Sequence, residues 1–449
     1  MTLSLFHRAI TPAWSVLLLH VAVATAAAQQ LTYVPDHANA TYAVGERVAW
    51  TIRPAAGTSA PGGSYTYTIK RDGREVIKTG AFDLTSGAAT IETSCAQPAM
   101  LLVEIKPPSG VTGFGAINTG GPGRVLLAAA VAPTSIQPVA ARPADFDAFW
   151  DAKLKQLAAV PMNATLTPGD GGKPGVEYAT LKMNNINGAH VYGQLAKPAR
   201  DGKFPALLIF QWASPPYPLQ KSWVADRAAE GWLVLNVEPH DVPSDMPQAF
   251  YDALPQMIKS YHTIGQHSRD DSYFLSMYLG DYRAVEYLAS RPDWDGTTMV
   301  VMGTSMGGQQ SLAVAGLNAR VTGLIVNVPA GADVTASLHG HATGYPNWNV
   351  ARADVLATAP YFDTVNFASR ISATSLVAMG FIDEVAPSIG IWTAFNQIKG
   401  KKEAAPMTES AHNNLATAAQ QLPYTRRSAE WLSAFVHGSD PMANAGKLP

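Results

Sequence analysis

The stretch that decides the fold is Thr297-Thr-Met-Val-Val-Met-Gly-Thr-Ser-Met-Gly-Gly-Gln-Gln310. Its apolar run Met299–Met302 is typical of a fully buried parallel strand. Gly303-Thr-Ser-Met-Gly307 then fits the pattern G-x-S-x-G, in which a strand turns sharply into a helix with a serine at the turn. Because the turn crowds the backbone on both sides of the serine, glycine is needed at the flanking positions. The pattern predicts that Ser305 is a nucleophile at the tip of a strand.

A serine hydroxyl is a weak nucleophile until a base accepts its proton and a third group orients that base. In hydrolases built around this turn, the acid and then the histidine follow the serine, each in a loop after a strand. Asp383 directly follows a strand-like apolar run and is the preferred acid, with Asp333 as the reserve. His412 and His437 are the histidines beyond Asp383, and His437 ends the last helix, where a capping role suffices. The residue order therefore predicts a triad of Ser305, Asp383 and His412.

Acyl transfer also needs N–H groups that stabilise the oxyanion of the tetrahedral intermediate. The N–H of Met306, directly after the nucleophile, is the predicted first donor. The second donor is expected in the loop after an early strand, which here is Gln211–Pro218. A backbone N–H near Trp212 or Ala213 is the candidate.

The composition of the 449-residue chain, with 47% hydrophobic and 15% charged residues, is that of a core-forming globular protein. Its net charge of −2 offers no basic surface for nucleic acid or an anionic membrane. The sequence contains no P-loop, dinucleotide fingerprint or H-E-x-x-H pair, so we predict neither a cofactor nor a metal site. Cys95 is the only cysteine, which excludes an intrachain disulfide.

Residues 1–28 are predicted to be a signal peptide. His7 and Arg8 precede an apolar run at 13–24, and Ala26-Ala-Ala28 fits a cleavage site. The run is short and alanine-rich for a membrane span, although a retained anchor is the alternative. The sequence thus predicts a periplasmic or secreted protein with no membrane segment after cleavage.

The remaining chain divides into two folded parts joined by a linker. Residues 31–132 hold short strand-like runs separated by turns, which predicts a small all-β sandwich of immunoglobulin-like type. Residues 133–142 are proline-rich and predict a linker. Residues 143–438 open with an amphipathic helix and then alternate strands with helices, which predicts a doubly wound, mostly parallel sheet. Because every candidate catalytic residue lies beyond the linker, residues from Thr134 onward are expected to act alone on a small ester.

The second part resembles the acetyl xylan esterase and cephalosporin C deacetylase family of α/β-hydrolases. The resemblance spans roughly residues 142–436. It is carried by the opening helix Pro143–Leu157, the helix Tyr273–Ser290, the segment Arg291-Pro-Asp-Trp-Asp295 and the turn Gly303–Gly308.

The resemblance implies an α/β-hydrolase fold and an esterase that deacetylates xylan-type polysaccharide or its oligosaccharides. It also implies that Ala213 supplies the second oxyanion N–H. Three positions differ from the family pattern: Met306 stands where the family has glutamine, His240-Asp-Val242 where it has R-G-Q, and Asn413 where it has glutamate. These differences concern the substrate and the family's oligomer more than the chemistry, and an oligomer is compatible with the sequence.

Aromatic residues in loops above the strand tips are candidates for substrate binding, because functional loops gather at that end of such sheets. These candidates are Trp212, His240, Tyr345 and Trp348. Packing against the sheet is the alternative for each of them.

Three other functions stay open at this point. A serine peptidase of the prolyl-oligopeptidase kind is disfavoured because the N-terminal region is too short for a propeller. A glucuronoyl esterase is disfavoured because no basic residue follows Ser305. A non-catalytic carbohydrate-binding protein on a hydrolase scaffold is disfavoured by the intact triad.

Overall fold

A computed structural model describes residues 31–57, 60–116 and 119–445. The predicted signal peptide, residues 1–28, lies outside the described residues. Among the helices of the described segments, none combines the length and the apolar character needed to cross a membrane.

The N-terminal part folds as two sheets that share one core. Its strands are β1 (Leu31–Pro35), β2 (Thr41–Tyr42), β3 (Arg47–Pro54), β4 (Tyr65–Arg71), β5 (Glu75–Phe82), β6 (Ala89–Ser94), β7 (Ala99–Lys106) and β8 (Val125–Val131). One sheet has the order β1-β3-β6 and the other β2-β8-β7-β4-β5. Trp50, Tyr65 and Val103 are buried in the shared core, because alternate side chains of a strand face the same side. The predicted all-β sandwich is confirmed.

The second part is built on one sheet of nine strands. They are β9 (Thr165–Gly169), β10 (Val176–Asn184), β11 (His190–Pro198), β12 (Phe204–Phe210), β13 (Leu233–Glu238), β14 (Trp294–Thr304), β15 (Gly323–Asn327), β16 (Thr374–Gly380) and β17 (Lys402–Met407). Their order is β17-β16-β15-β14-β12-β13-β11-β10-β9. Strands β12 to β17 pair in parallel with one another, whereas β9, β10 and β11 form an antiparallel edge. The predicted doubly wound, mostly parallel sheet is confirmed.

Helices connect and cover these strands. They are α1 (Phe146–Ala158), α2 (Lys221–Ala229), α3 (Gln248–Asp252), α4 (Gln256–Lys259), α5 (Tyr273–Ser290), α6 (Met306–Leu317), α7 (Ala353–Thr358), α8 (Thr364–Ala368), α9 (Ser388–Gln397) and α10 (Leu422–Val436). Every residue of α6 is buried, since the helix packs against α5, α8 and the central strands β12 and β14. Helix α6 is therefore fixed from all sides, and it follows Ser305 directly.

The predicted linker is docked onto the second part. Ile136 is buried, and the side-chain amide of Asn396 on α9 donates to the carbonyls of Pro133 and Ile136 at 2.8 and 2.9 Å. Met100 and Leu126 on the outer face of the sandwich join the same apolar cluster as the nine-stranded sheet. The sandwich and the second part therefore share a packed interface.

Candidate active site

The sharp turn at Ser305 joins β14 to α6. Ser305 has φ 58° and ψ −119°, a strained conformation for a residue with a side chain. A Cβ added at Gly303 would lie 2.3 Å from the carbonyl carbon of Gly307, and one added at Gly307 would lie 2.3 Å from the oxygen of Phe210. The two glycines therefore permit the close packing that holds the serine at the tip of the strand.

Ser305, His412 and Asp383 form one chain of hydrogen bonds. His412 Nε2 lies 2.9 Å from Ser305 Oγ, and His412 Nδ1 lies 2.7 Å from Asp383 Oδ2. The aspartate side chain is fully buried and that of the histidine is 5% exposed. The structure thus brings together three residues that the sequence places in separate loops.

The Asp383 carboxylate is held by its own loop. Its Oδ1 accepts hydrogen bonds from the N–H groups of Val385 and Ala386, both at 2.8 Å. Because Oδ1 is engaged twice, Oδ2 is the oxygen directed at His412. Such backbone bonds fix the carboxylate orientation before any substrate arrives.

The reserve acid, Asp333, lies in a different environment. Its backbone N–H donates to Asp363 Oδ1 at 3.0 Å. Burial, and then the neighbouring Asp363 carboxylate, raise the pKa of Asp333 to about 7. His412 is bonded to Asp383 and not to this residue.

The two predicted oxyanion donors belong to segments that meet at the serine. Met306 is the first residue of α6, and the first N–H groups of a helix have no partner within it. Ala213 lines the same cleft as Ser305. Its loop is tied to α6 by Gln310, whose Nε2 donates to the carbonyl of Gln211 at 3.0 Å. Both backbone N–H groups are thus attached to one rigid unit.

The structure corrects the prediction that His240 binds substrate. The ring is 2% exposed, and its Nδ1 accepts from the Tyr273 hydroxyl at 2.9 Å while Nε2–H donates to the Ser214 carbonyl at 3.1 Å. Burial lowers the pKa of His240 to about 4, so the ring is neutral at pH 7. His240 therefore lies behind the cleft and supports the loop that carries Ala213.

An open cleft of about 530 Å³ lies above the serine. Its walls are formed by Trp212, Ala213, Ser214, Pro215, Ser305, Tyr345, Val385, His412, Asn413 and Asn414. Trp212 is 41% exposed, and its ring stacks on Tyr217 with centroids 5.6 Å apart. The Tyr345 hydroxyl donates to the Tyr261 hydroxyl at 2.9 Å. Two of the predicted substrate-binding residues, Trp212 and Tyr345, therefore face the cleft.

Trp348 does not face the cleft, which corrects the second of these predictions. Its side chain is buried among the rings of Phe274 and Phe362, and its Nε1–H donates to the carbonyl of His262 at 2.6 Å. An indole whose N–H has a backbone partner is stable in a core. Trp348 is therefore part of the packing beneath the loop.

Sequence reasoning missed the two glutamines at the start of α6. Gln310 holds the loop that carries Ala213, and Gln309 Nε2 donates to the buried Tyr278 hydroxyl at 2.7 Å. Two adjacent amides in a helix that is mostly apolar are the pattern that would have indicated them, because a buried amide needs partners. Over the parts of the chain that the structure describes, no group of three or more His, Cys, Asp or Glu residues is arranged to hold a metal ion.

Behind His240 lies a cavity of about 50 Å³ lined by Glu238 and Asp281. Burial raises the pKa of both carboxyl groups well above their ordinary values. When folding raises the pKa of a carboxyl group, the group's contribution to the free energy of unfolding is complete below pH about 4, where it is protonated in both the folded and the unfolded state. This contribution is lost as the pH rises through the folded-state pKa. The two carboxyl groups should therefore lower the stability of the protein as the pH rises.

We accordingly expect Asp281→Asn to raise Tm by a few degrees at pH 8, with a smaller gain as the pH falls to about 5. The measurement is thermal unfolding across this pH range. The control is Asp271→Asn, which changes an exposed carboxyl just before α5, the helix that carries Asp281. It should leave Tm unchanged. An equal gain at both pH values would show that the effect is not one of ionisation.

A family profile and a related protein each match most of this chain. The acetyl xylan esterase family profile matches residues 134–432. Acetyl esterase Axe7A of Xylanibacter ruminicola is 28% identical over 405 residues, which cover 85% of this chain and 88% of that protein. A match of that extent is longer than the chain from residue 134 to the C-terminus, so it includes part of the sandwich.

Two solved structures share the fold. The acetyl xylan esterase from Paenibacillus sp. R4 superimposes with a TM-score of 0.56 at 23% identity, covering 66% of this chain and 96% of that one. Acetyl xylan esterase 1 from Thermoanaerobacterium sp. JW/SL YS485 gives a TM-score of 0.57 at 20% identity, covering 68% and 97%. The nine-stranded part is thus an α/β-hydrolase fold.

Proposed function

We propose a function for this chain from one premise: it belongs to the acetyl xylan esterase family. It is therefore a carboxylic ester hydrolase. This excludes two of the alternatives left open by the sequence, a serine peptidase and a non-catalytic carbohydrate-binding protein. Our proposal is a secreted or periplasmic enzyme that removes acetyl groups from xylan-type polysaccharide or its oligosaccharides. The observation that supports it most directly is the hydrogen-bonded chain from Ser305 through His412 to Asp383 at the cleft.

In the proposed reaction, Ser305 Oγ attacks the acetyl carbonyl carbon while His412 Nε2 accepts the hydroxyl proton. The negative charge on the carbonyl oxygen is stabilised by the N–H groups of Met306 and Ala213. His412 then gives the proton to the sugar oxygen, which leaves as an alcohol, and the acetyl group stays on Ser305. A water deprotonated by His412 releases acetate, while Asp383 holds the Nδ1–H tautomer and stabilises the imidazolium.

Substrate profiling tests this proposal. We expect acetate release from acetylated xylan, acetylated xylo-oligosaccharides and 4-nitrophenyl acetate, and no cleavage of peptide amides. Hydrolysis of the aryl ester without release of acetate from acetylated xylan or its oligosaccharides would contradict the proposed substrate. It would leave the esterase activity unchallenged. Secretion has its own test, because the mature protein should be exported and begin near Gln29.

Trp212 is 41% exposed and lines the cleft, and sugars pack on exposed aromatic rings through their C–H groups. Trp212→Ala should therefore lower kcat/KM for an acetylated xylo-oligosaccharide by about tenfold, a loss of remote binding that a small ester does not use. With 4-nitrophenyl acetate the change should be within about twofold. The measurement is kcat/KM on both substrates.

Met257→Ala is the matched control, since Met257 is 70% exposed and does not line the cleft. It should change neither value. Equal losses on both substrates in Trp212→Ala would mean that the ring supports the oxyanion loop and does not bind sugar.

A further inference from the structure

Arg124, the residue before β8 of the sandwich, contacts the loop that carries Asp383. Both terminal nitrogens of its guanidinium group bond to the carboxylate of Glu384, with Nη1–Oε1 at 3.3 Å. Glu384 lies between Asp383 and Val385 in the chain. Paired bonds of this kind fix the direction of a carboxylate as well as its distance. The sandwich therefore restrains the loop at the residue next to the aspartate.

The hairpin turn between β4 and β5 makes a second contact. The carbonyl of Asp72 accepts from the N–H of Ala342 at 2.7 Å, and Asp72 Oδ2 lies 3.5 Å from His341 Nε2. Gly73 follows with φ 75°, and a Cβ there would lie 2.7 Å from the Cβ of Ala342. A glycine at this turn allows the close approach. The turn thus fixes the loop that leads to Tyr345.

The two contacts converge on Val385. The N–H of Tyr345 donates to the carbonyl of Val385 at 2.9 Å, and the N–H of Val385 donates to Asp383 Oδ1 at 2.8 Å. A Cβ at Gly344 would lie 2.1 Å from the Val385 oxygen, so the two loops are in tight contact. Val385 also lines the cleft. One residue thus joins the sandwich contacts, the cleft wall and the aspartate.

Both contacts start from fixed points on the sandwich. Arg124 Nε donates to the carbonyl of Gly120, and Asp72 Oδ1 accepts from the N–H of Met100 at 2.9 Å. Met100 and Leu126 are buried in the apolar cluster shared with the hydrolase sheet. Because interiors pack densely, this interface transmits position and does not act as a hinge.

We propose that Arg124 and Asp72 are positioning residues of the esterase, through which the sandwich sets the Asp383 loop and the cleft wall at Tyr345. The inference rests on the proposed function, in which Asp383 orients His412. It replaces the sequence-based expectation that residues from Thr134 onward act alone, because those residues lack the two contacts that fix the loops.

The test uses the full chain with Arg124→Ala. We expect kcat for 4-nitrophenyl acetate to fall about tenfold, since small displacements of oriented groups are costly in catalysis. KM should stay within about twofold, because Arg124 does not line the cleft and therefore does not touch the substrate. Tm should hardly change, since partly exposed ion pairs contribute little to stability. Titration with a fluorophosphonate measures the concentration of reactive active sites. Dividing the maximal rate by that concentration gives a kcat that is unaffected by any loss of folded protein.

The matched control is Arg47→Ala, which removes ion pairs to Asp36 and Glu92 inside the sandwich. Its kcat should equal that of the unmodified chain. Arg124→Glu and Glu384→Arg should each lower kcat, and their combination should restore most of it.

A kcat for Arg124→Ala equal to that of Arg47→Ala would overturn the inference, as would a double variant no better than the single ones. Ser305→Ala measured in parallel keeps the two proposals apart. If it stays active, the proposed function fails; if it is inactive while Arg124→Ala is fully active, the positioning role alone fails.

Discussion

Ser305→Ala should lower kcat for acetyl ester hydrolysis by on the order of 10⁵-fold, because the acyl-enzyme route is lost together with the attacking oxygen. The fold should persist. Ser305 keeps its turn through backbone bonds, with its N–H donating to Asn327 and its carbonyl accepting from Ala330, both at 3.0 Å. The measurements are steady-state kinetics on 4-nitrophenyl acetate, thermal unfolding and covalent labelling by a fluorophosphonate.

Ser311→Ala is the matched control for this variant. It makes the same side-chain change in α6, where the Ser311 hydroxyl donates to the carbonyl of Gly307 at 2.7 Å and does not face the cleft. Its kcat should stay within a few-fold of the parent, and its labelling should persist. Activity and labelling that survive in Ser305→Ala would remove Ser305 from the mechanism.

The hydrogen-bonded arrangement of Ser305, Asp383 and His412 was predictable from patterns in the sequence. Gly303 and Gly307 meet backbone atoms of the packed turn, so the glycine spacing reports a steric requirement. Asp383 was predictable because it follows the apolar strand β16 directly. His412 followed from residue order. The predictions for Ser305 and Asp383 used features within a few residues of each side chain, whereas the prediction for His412 used only its place after them in the chain.

Strand β17, which leads to His412, was missed. Its sequence Lys402-Glu-Ala-Ala-Pro-Met407 has no β-branched or aromatic residue and contains a proline. The strand forms at the edge of the sheet, where a proline is tolerated because one side makes no ladder bonds. Its position comes from pairing with β16, which is a tertiary contact and not a local preference.

The burial of loop side chains and the pairing of distant residues also could not be predicted from the sequence. His240 and Trp348 lie in loops at the correct end of the sheet, yet both are packed beneath the cleft surface. A loop aromatic has the same sequence pattern whether it faces the substrate or the core. Arg124 and Glu384 are 260 positions apart, and a pair of opposite charges at that separation leaves no pattern to recognise.

The assignment of Asp383 leads to the second large effect. Asp383→Asn should lower kcat by about 10⁴-fold at neutral pH. In the variant, Oδ1 is still needed by the N–H groups of Val385 and Ala386, so the amide NH₂ must face His412. An NH₂ at that position favours the tautomer with a bare Nδ1 and a protonated Nε2. That Nε2 cannot accept the proton of Ser305.

Asp333→Asn is the matched comparison, because it makes the same change in the other candidate acid. Its carboxyl lies beside Asp363, and no hydrogen bond joins it to His412 among the described residues. We expect full activity from this variant. Because the raised pKa of Asp333 costs stability as the pH rises through about 7, its Tm should increase at pH 8. Loss of turnover in Asp333→Asn with an active Asp383→Asn would transfer the role of the acid to Asp333.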